Sequence, residues 1–154
     1  MQIQSNPGNE VVVSFGDILD QAPDGVIFAD HEGIIRVWNQ GAQTIFGYAS
    51  TETLGKSLDI IIPERFRSAH WNGFYNAMAT GHPIHVGRVL RTRSVHKDGT
   101  KLYVDLTFGM VKDTRGIIRG SVAIARNATA HQASEVQNDS SSACSGTTQK
   151  SRHS

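Results

Sequence analysis

The sequence predicts an α+β domain in which helices pack on one face of a five-stranded antiparallel sheet. Three observations carry this. Two short apolar runs, 25–29 (GVIFA) and 34–38 (IIRVW), flank the turn-forming DHEG of residues 30–33, the mark of a hairpin. Helix signals then dominate residues 39–80. Three strand-like segments close the pattern, separated by the KDGT and DTRG turns at 97–100 and 113–116. Strands, then helices, then strands joined by tight turns give an antiparallel sheet covered by helices.

Each element has its own signal. Ser14 caps a short first helix whose Phe15, Ile18 and Leu19 make an apolar stripe. Asn39 caps a helix carrying Ala42, Ile45 and Phe46, which Gly47 ends. A second short helix starts at Ser50. The run LDIIIP at 58–63 leads into a longer helix over 64–80, with Gly81 beyond its end and Pro83 blocking continuation. Strands are predicted over 86–96, 101–111 and 117–125. The middle one alternates well, so Leu102, Val104, Leu106 and Phe108 share a face.

The ends differ in composition. Residues 131–154 hold seven serines and few apolar side chains, which reads as a disordered Ser-rich tail. Residues 1–10 read as a flexible N-terminus, leaving 11–130 as the folded unit. In 154 residues Lys plus Arg is 15 and Asp plus Glu is 14, so nucleic acid and anionic membranes are not expected partners. A single cysteine, Cys144, excludes a disulfide framework, a zinc ribbon and a CxxC redox pair. It reads as an exposed thiol in the tail. No apolar run is long enough for a transmembrane helix, and the N-terminus lacks the marks of a signal peptide. The expected location is cytoplasmic.

The element order, together with DGVIFADHEGIIRVWNQGAQTIFGYASTETLGKSL, IIPERFRSAHWNGF and HKDGTKLYVDLTF, resembles a PAS domain over residues 14–130. The segment PERFRSAH at 63–70 is similar to haem-binding PAS domains of bacterial oxygen-sensor histidine kinases. That resemblance implies haem b, with His70 on the iron. The residue chemistry agrees, because a neutral imidazole suits iron and a helix fixes its direction. Helical spacing puts Phe66, Phe74 and Ala77 on the face of His70. Leu90, Leu106 and Phe108 are expected to line the opposite wall, from the inner faces of the closing strands. No cysteine precedes Cys144, so flavin adduct chemistry is excluded.

Strand alternation, with the family's parity, also turns Arg88 inward and Arg91 outward. Oxygen-sensing relatives usually carry an arginine where this chain has Leu90, so stable oxygen sensing is not implied. Arg88, in an apolar pocket, needs an anion: a propionate or an anionic substrate. His85, on the turn entering that strand, is a candidate proton shuttle. Met110 reads as core.

A polar tail follows the domain where relatives carry an output domain. The chain thereby resembles the stand-alone haem-PAS enzymes that split N-nitroglycine to glyoxylate, nitrite and ammonium. That resemblance implies a haem-dependent lyase acting on a small anionic substrate, with His70 on the iron, Arg88 and His85 in catalysis, and an electron donor that keeps the haem ferrous. The alternative is a gas or redox sensor acting through a separate partner. The stripe on the first helix points to a homodimer, as PAS domains commonly pair there.

Overall fold

The computed structural model describes residues 12–83 and 85–144. The flexible N-terminus and the last ten residues of the expected tail lie outside them. The elements run α1 (Phe15–Gln21), β1 (Gly25–Asp30), β2 (Ile35–Trp38), α2 (Gln40–Phe46), α3 (Ser50–Thr53), a 3-10 helix (Leu58–Ile61), α4 (Glu64–Thr80), β3 (Leu90–Val95), β4 (Lys101–Lys112), β5 (Ile118–Asn127) and α5 (Thr129–Cys144). The sheet has five strands in the order β2-β1-β5-β4-β3, and every neighbouring pair is antiparallel. The long β1–β5 pairing brings the N-terminal hairpin beside the C-terminal meander and closes the domain.

Asn39 shows how a capping residue becomes an architectural one. Its Oδ1 accepts from Ala42 N at 2.9 Å, capping α2, and from Val26 N at 2.7 Å. Its Nδ2 donates to Leu19 O at 2.7 Å and to Asp24 O at 3.0 Å. The side chain is buried, yet both polar atoms are doubly bonded. It thereby ties α1, β1 and α2 together. Gly41 is required beside it, because a Cβ there would lie 2.2 Å from Asp24 O. The predicted stops of α2 and α4 are Gly47 and Gly81, both left-handed at φ 81° and 74°.

Alternation along β4 sorts the sheet's faces. Leu102 and Val104 are buried in a core with Ile27, Ile35, Trp38, Phe46 and Phe74, and Leu106 packs against it. Helices α2 and α4 cover this face. Tyr103 and Asp105 point the other way, toward α5. Two expectations are corrected here. Residues 131–144 are helical rather than disordered. The composition argument weighed only apolar burial, whereas a helix satisfies its backbone internally. Its serines find partners on the helix itself: the hydroxyls of Ser134 and Ser140 donate back to Ala130 O and Val136 O, an arrangement that a helix tolerates at a small cost. Its first turns are anchored to the sheet, as Thr129 Oγ1 accepts from Tyr103 N at 3.1 Å and Glu135 binds Arg91 at 2.7 Å. The second correction concerns β3, which begins at Leu90 and not at residue 86. Residues 85–87 form a turn instead, with Gly87 at φ 72°.

Candidate functional site

Between α4 and the inner face of the sheet lies a cavity of about 690 Å³. That is within the usual range of roughly 300–1,000 Å³ for small-molecule and cofactor sites. Helix α4 contributes Phe66, Ala69, His70, Gly73, Phe74 and Ala77. The sheet contributes Leu90, Leu106, Phe108, Met110 and Ala123, and Leu58 and Ile61 of the 3-10 helix close one side. The expected wall residues Phe66, Phe74, Leu90, Leu106 and Phe108 therefore meet around one space, and His70 and His85 both face it. Met110 belongs to this wall and not to the closed core.

Arg88 does not. It is exposed on the loop before β3 and lies off the cavity wall. The inward assignment extended strand parity back to residue 88, but the strand starts two residues later, and the turn at 85–87 resets direction. Where β3 exists, parity holds. Leu90, Thr92 and Ser94 face inward. Arg91 faces outward, its Nε 3.0 Å from Asp105 Oδ1, which holds the Asp105 carboxyl below its ordinary range. The Arg93 guanidinium lies 5.5 Å from the Tyr103 ring centroid.

The hydroxyls on the inner face of β3 are already used. Ser94 Oγ donates to Ile61 O, pinning β3 to the 3-10 helix, and Thr92 Oγ1 donates to Val104 O at 3.4 Å. His70 differs. Its Nδ1 is buried without a hydrogen-bond partner among the described residues. Burial pushes its pKa below the ordinary value, and the charge of Asp59 offsets part of this. A neutral imidazole with unused donor capacity thus sits in an apolar wall. Its ring is held edge-on by Trp71, centroids 4.8 Å apart, and flanked by Phe74 at 6.1 Å.

Trp71 is a positioning residue that sequence reasoning did not single out. Its Nε1 donates to Asp59 Oδ1 at 2.8 Å, and its ring occupies the space a Cβ at Gly33 would need. The signal was present in the Trp adjoining His70, but its partner Asp59 is separated from it by the start of α4.

The PAS fold model matches residues 15–128. The chain belongs to the PAS family. Sensor protein FixL of Bradyrhizobium diazoefficiens is 32% identical over 94 residues, covering 60% of this chain and 18% of the relative. The cell-division control histidine kinase PdhS of Brucella anthropi is 32% identical over 101 residues, covering 64% of this chain and 9% of the kinase. The chain thus spans less than a fifth of these relatives. The PAS domain of a Colwellia psychrerythraea protein superposes with a TM-score of 0.63 at 20% identity, covering 72% of this chain and 91% of that one. The chain is therefore a PAS domain homologous to those of sensor kinases. Among the described residues, no helix is long and apolar enough to cross a membrane.

Proposed function

We propose that this PAS domain holds haem b through His70 and uses the loaded cavity as a small-molecule site. The observation that supports it most is the half-buried His70 on the wall of a large apolar cavity, its Nδ1 buried and without a partner among the described residues. The donor set fits as well. Among the described residues no three His, Cys, Asp or Glu side chains gather to hold a metal ion. A single imidazole suits a metal whose macrocycle brings its remaining donors. Phe66, Phe74, Leu90, Leu106 and Phe108 would enclose the ring. When bound, the haem supplies a ferrous centre able to take a diatomic gas or polarise a nitro group.

The similarity to sensor kinases favours a signalling role, in which occupancy of the cavity is read by a partner. Exposed Phe15 and Ile18 on α1 offer a surface for pairing as a homodimer.

A second reading keeps the same cavity for chemistry and is favoured by His85, a proton-transfer group on its wall. In this reading N-nitroglycine loses a Cα proton and nitrite to leave an imine. Water then hydrolyses the imine to glyoxylate and ammonium, and the proton lost is the one ammonia takes up. His85 would accept and return that proton. Arg88, exposed on the same loop, is left a role in attracting the anionic substrate rather than clamping it in the cavity.

The test is an optical spectrum of haem-supplied protein, ferric and then dithionite-reduced, beside His70→Ala. A Soret band lost in the variant supports the assignment, and no band in the wild type overturns it. Incubating the ferrous form with N-nitroglycine and assaying nitrite then separates the readings: release supports the lyase, and none leaves the sensor.

A further inference from the structure

We propose that His85, exposed on the turn that borders the cavity, would serve as a second ligand to an iron held by His70 and would give way when an exogenous ligand binds. This rests on the haem reading above. The argument begins with what else on the wall has a donor atom to offer. The inward hydroxyls of Thr92 and Ser94 are engaged by backbone carbonyls. Arg91 and Arg93 also border the cavity, but Arg91 is paired with Asp105 and Glu135, the Arg93 guanidinium lies by the Tyr103 ring, and neither protonated guanidinium has a lone pair to offer, while Arg88 lies off the wall. The Ser121 hydroxyl also lines the wall, but a neutral hydroxyl is a poor iron ligand, which leaves His85 and the thioether of Met110 as the wall's nitrogen and sulfur donors outside α4.

Imidazole is the better ligand of the two for iron in either oxidation state, being basic and compact, whereas a thioether is soft and weakly donating. The setting of His85 also allows it to move. It opens a turn whose recorded backbone bond is Arg88 N to His85 O at 3.2 Å. Val86 within that turn and Val89 after it are 66% and 65% exposed, so no apolar packing of these side chains locks the loop to the core. Met110, by contrast, is fixed within β4, paired with Ser121 of β5. The site thus has one imidazole on a rigid helix and a second on a loose turn. The first holds and the second exchanges. Formation and loss of the second bond use the lone pair of the neutral imidazole, any proton on that nitrogen passing to solvent, so no oxidant or reductant is required.

The experiment compares ferrous spectra of the haem-supplied full chain in wild type, His85→Ala and Met110→Leu, together with carbon monoxide association rates. We expect a six-coordinate, low-spin wild type, a five-coordinate, high-spin His85→Ala, and an unchanged Met110→Leu. If His85 occupies the site about nine-tenths of the time, carbon monoxide association in His85→Ala rises roughly tenfold. An unchanged His85→Ala spectrum overturns the proposal, as does conversion to high spin by Met110→Leu instead. His85→Ala that retains a Soret band is folded and loaded, so its spin state is a direct reading. A wild type with no Soret band fails earlier and overturns the haem assignment itself.

Discussion

Helix α4 and the loop that follows it carry residues of equal chemical interest, yet their placements differ in how far periodicity controls them. His70, Phe66, Phe74 and Ala77 lie on one face of a 17-residue helix, and all four reach the cavity. Arg88 and His85 lie on a turn, where one reaches the cavity and the other does not. Period 3.6 binds side chains over many turns because each backbone bond fixes the next. Strand parity has the same force only inside a paired strand, and residues 85–89 pair with nothing in the sheet.

The sharpest way to break this comparison is to mutate one residue from each region. His70→Ala is expected to abolish haem retention, seen as loss of the Soret band. Arg88→Ala is expected to leave the spectrum and the unfolding midpoint unchanged. A spectrum altered in Arg88→Ala would return the guanidinium to the cavity and undo the contrast.

Next in size is Asn39→Ala. Four hydrogen bonds disappear, and buried backbone groups of three elements lose their partners. The expected cost is about 3 kcal/mol, measured by urea unfolding with the slope unchanged. Here the cap was legible in the sequence, but its reach was not. An Asn before a helix announces one bond to that helix. The bonds to Leu19, Asp24 and Val26 depend on where the chain returns in space.

The same limit explains the other misses. The five strands, the glycine stops and most of the cavity wall follow from local pattern, because turn chemistry and alternation act within a few residues. Residues 131–144 read as disordered because their anchor is distant in sequence: Arg91 of β3 joins Asp105 of β4 to Glu135 of α5. Arg91→Ala should therefore loosen α5 while sparing the sheet. The check is faster amide hydrogen exchange over residues 129–144, with exchange in β4 and β5 unaltered. Equal acceleration everywhere would show that α5 is part of the cooperative core.

The smallest expected effect concerns pH, and it tests the environment of His70 without any cofactor. Burial lowers its pKa from the ordinary value of 6.5, with Asp59 acting in the opposite sense. The folded state therefore binds the proton less readily than the unfolded chain does. Above 6.5 both states are neutral at this residue, and it adds no pH dependence. As pH falls below 6.5 the unfolded chain takes up the proton first, so stability falls, until the folded pKa is passed and the slope vanishes. One residue can contribute at most about 1.4 kcal/mol per pH unit. In the haem-free protein, His70→Gln should remove this part of the slope between neutral pH and the lower folded pKa while keeping a polar side chain of similar reach. Urea midpoints from pH 7.5 downward read it directly. If wild type and variant lose stability in parallel, the imidazole is solvated in the free protein, and the cavity wall around it is open rather than formed in advance.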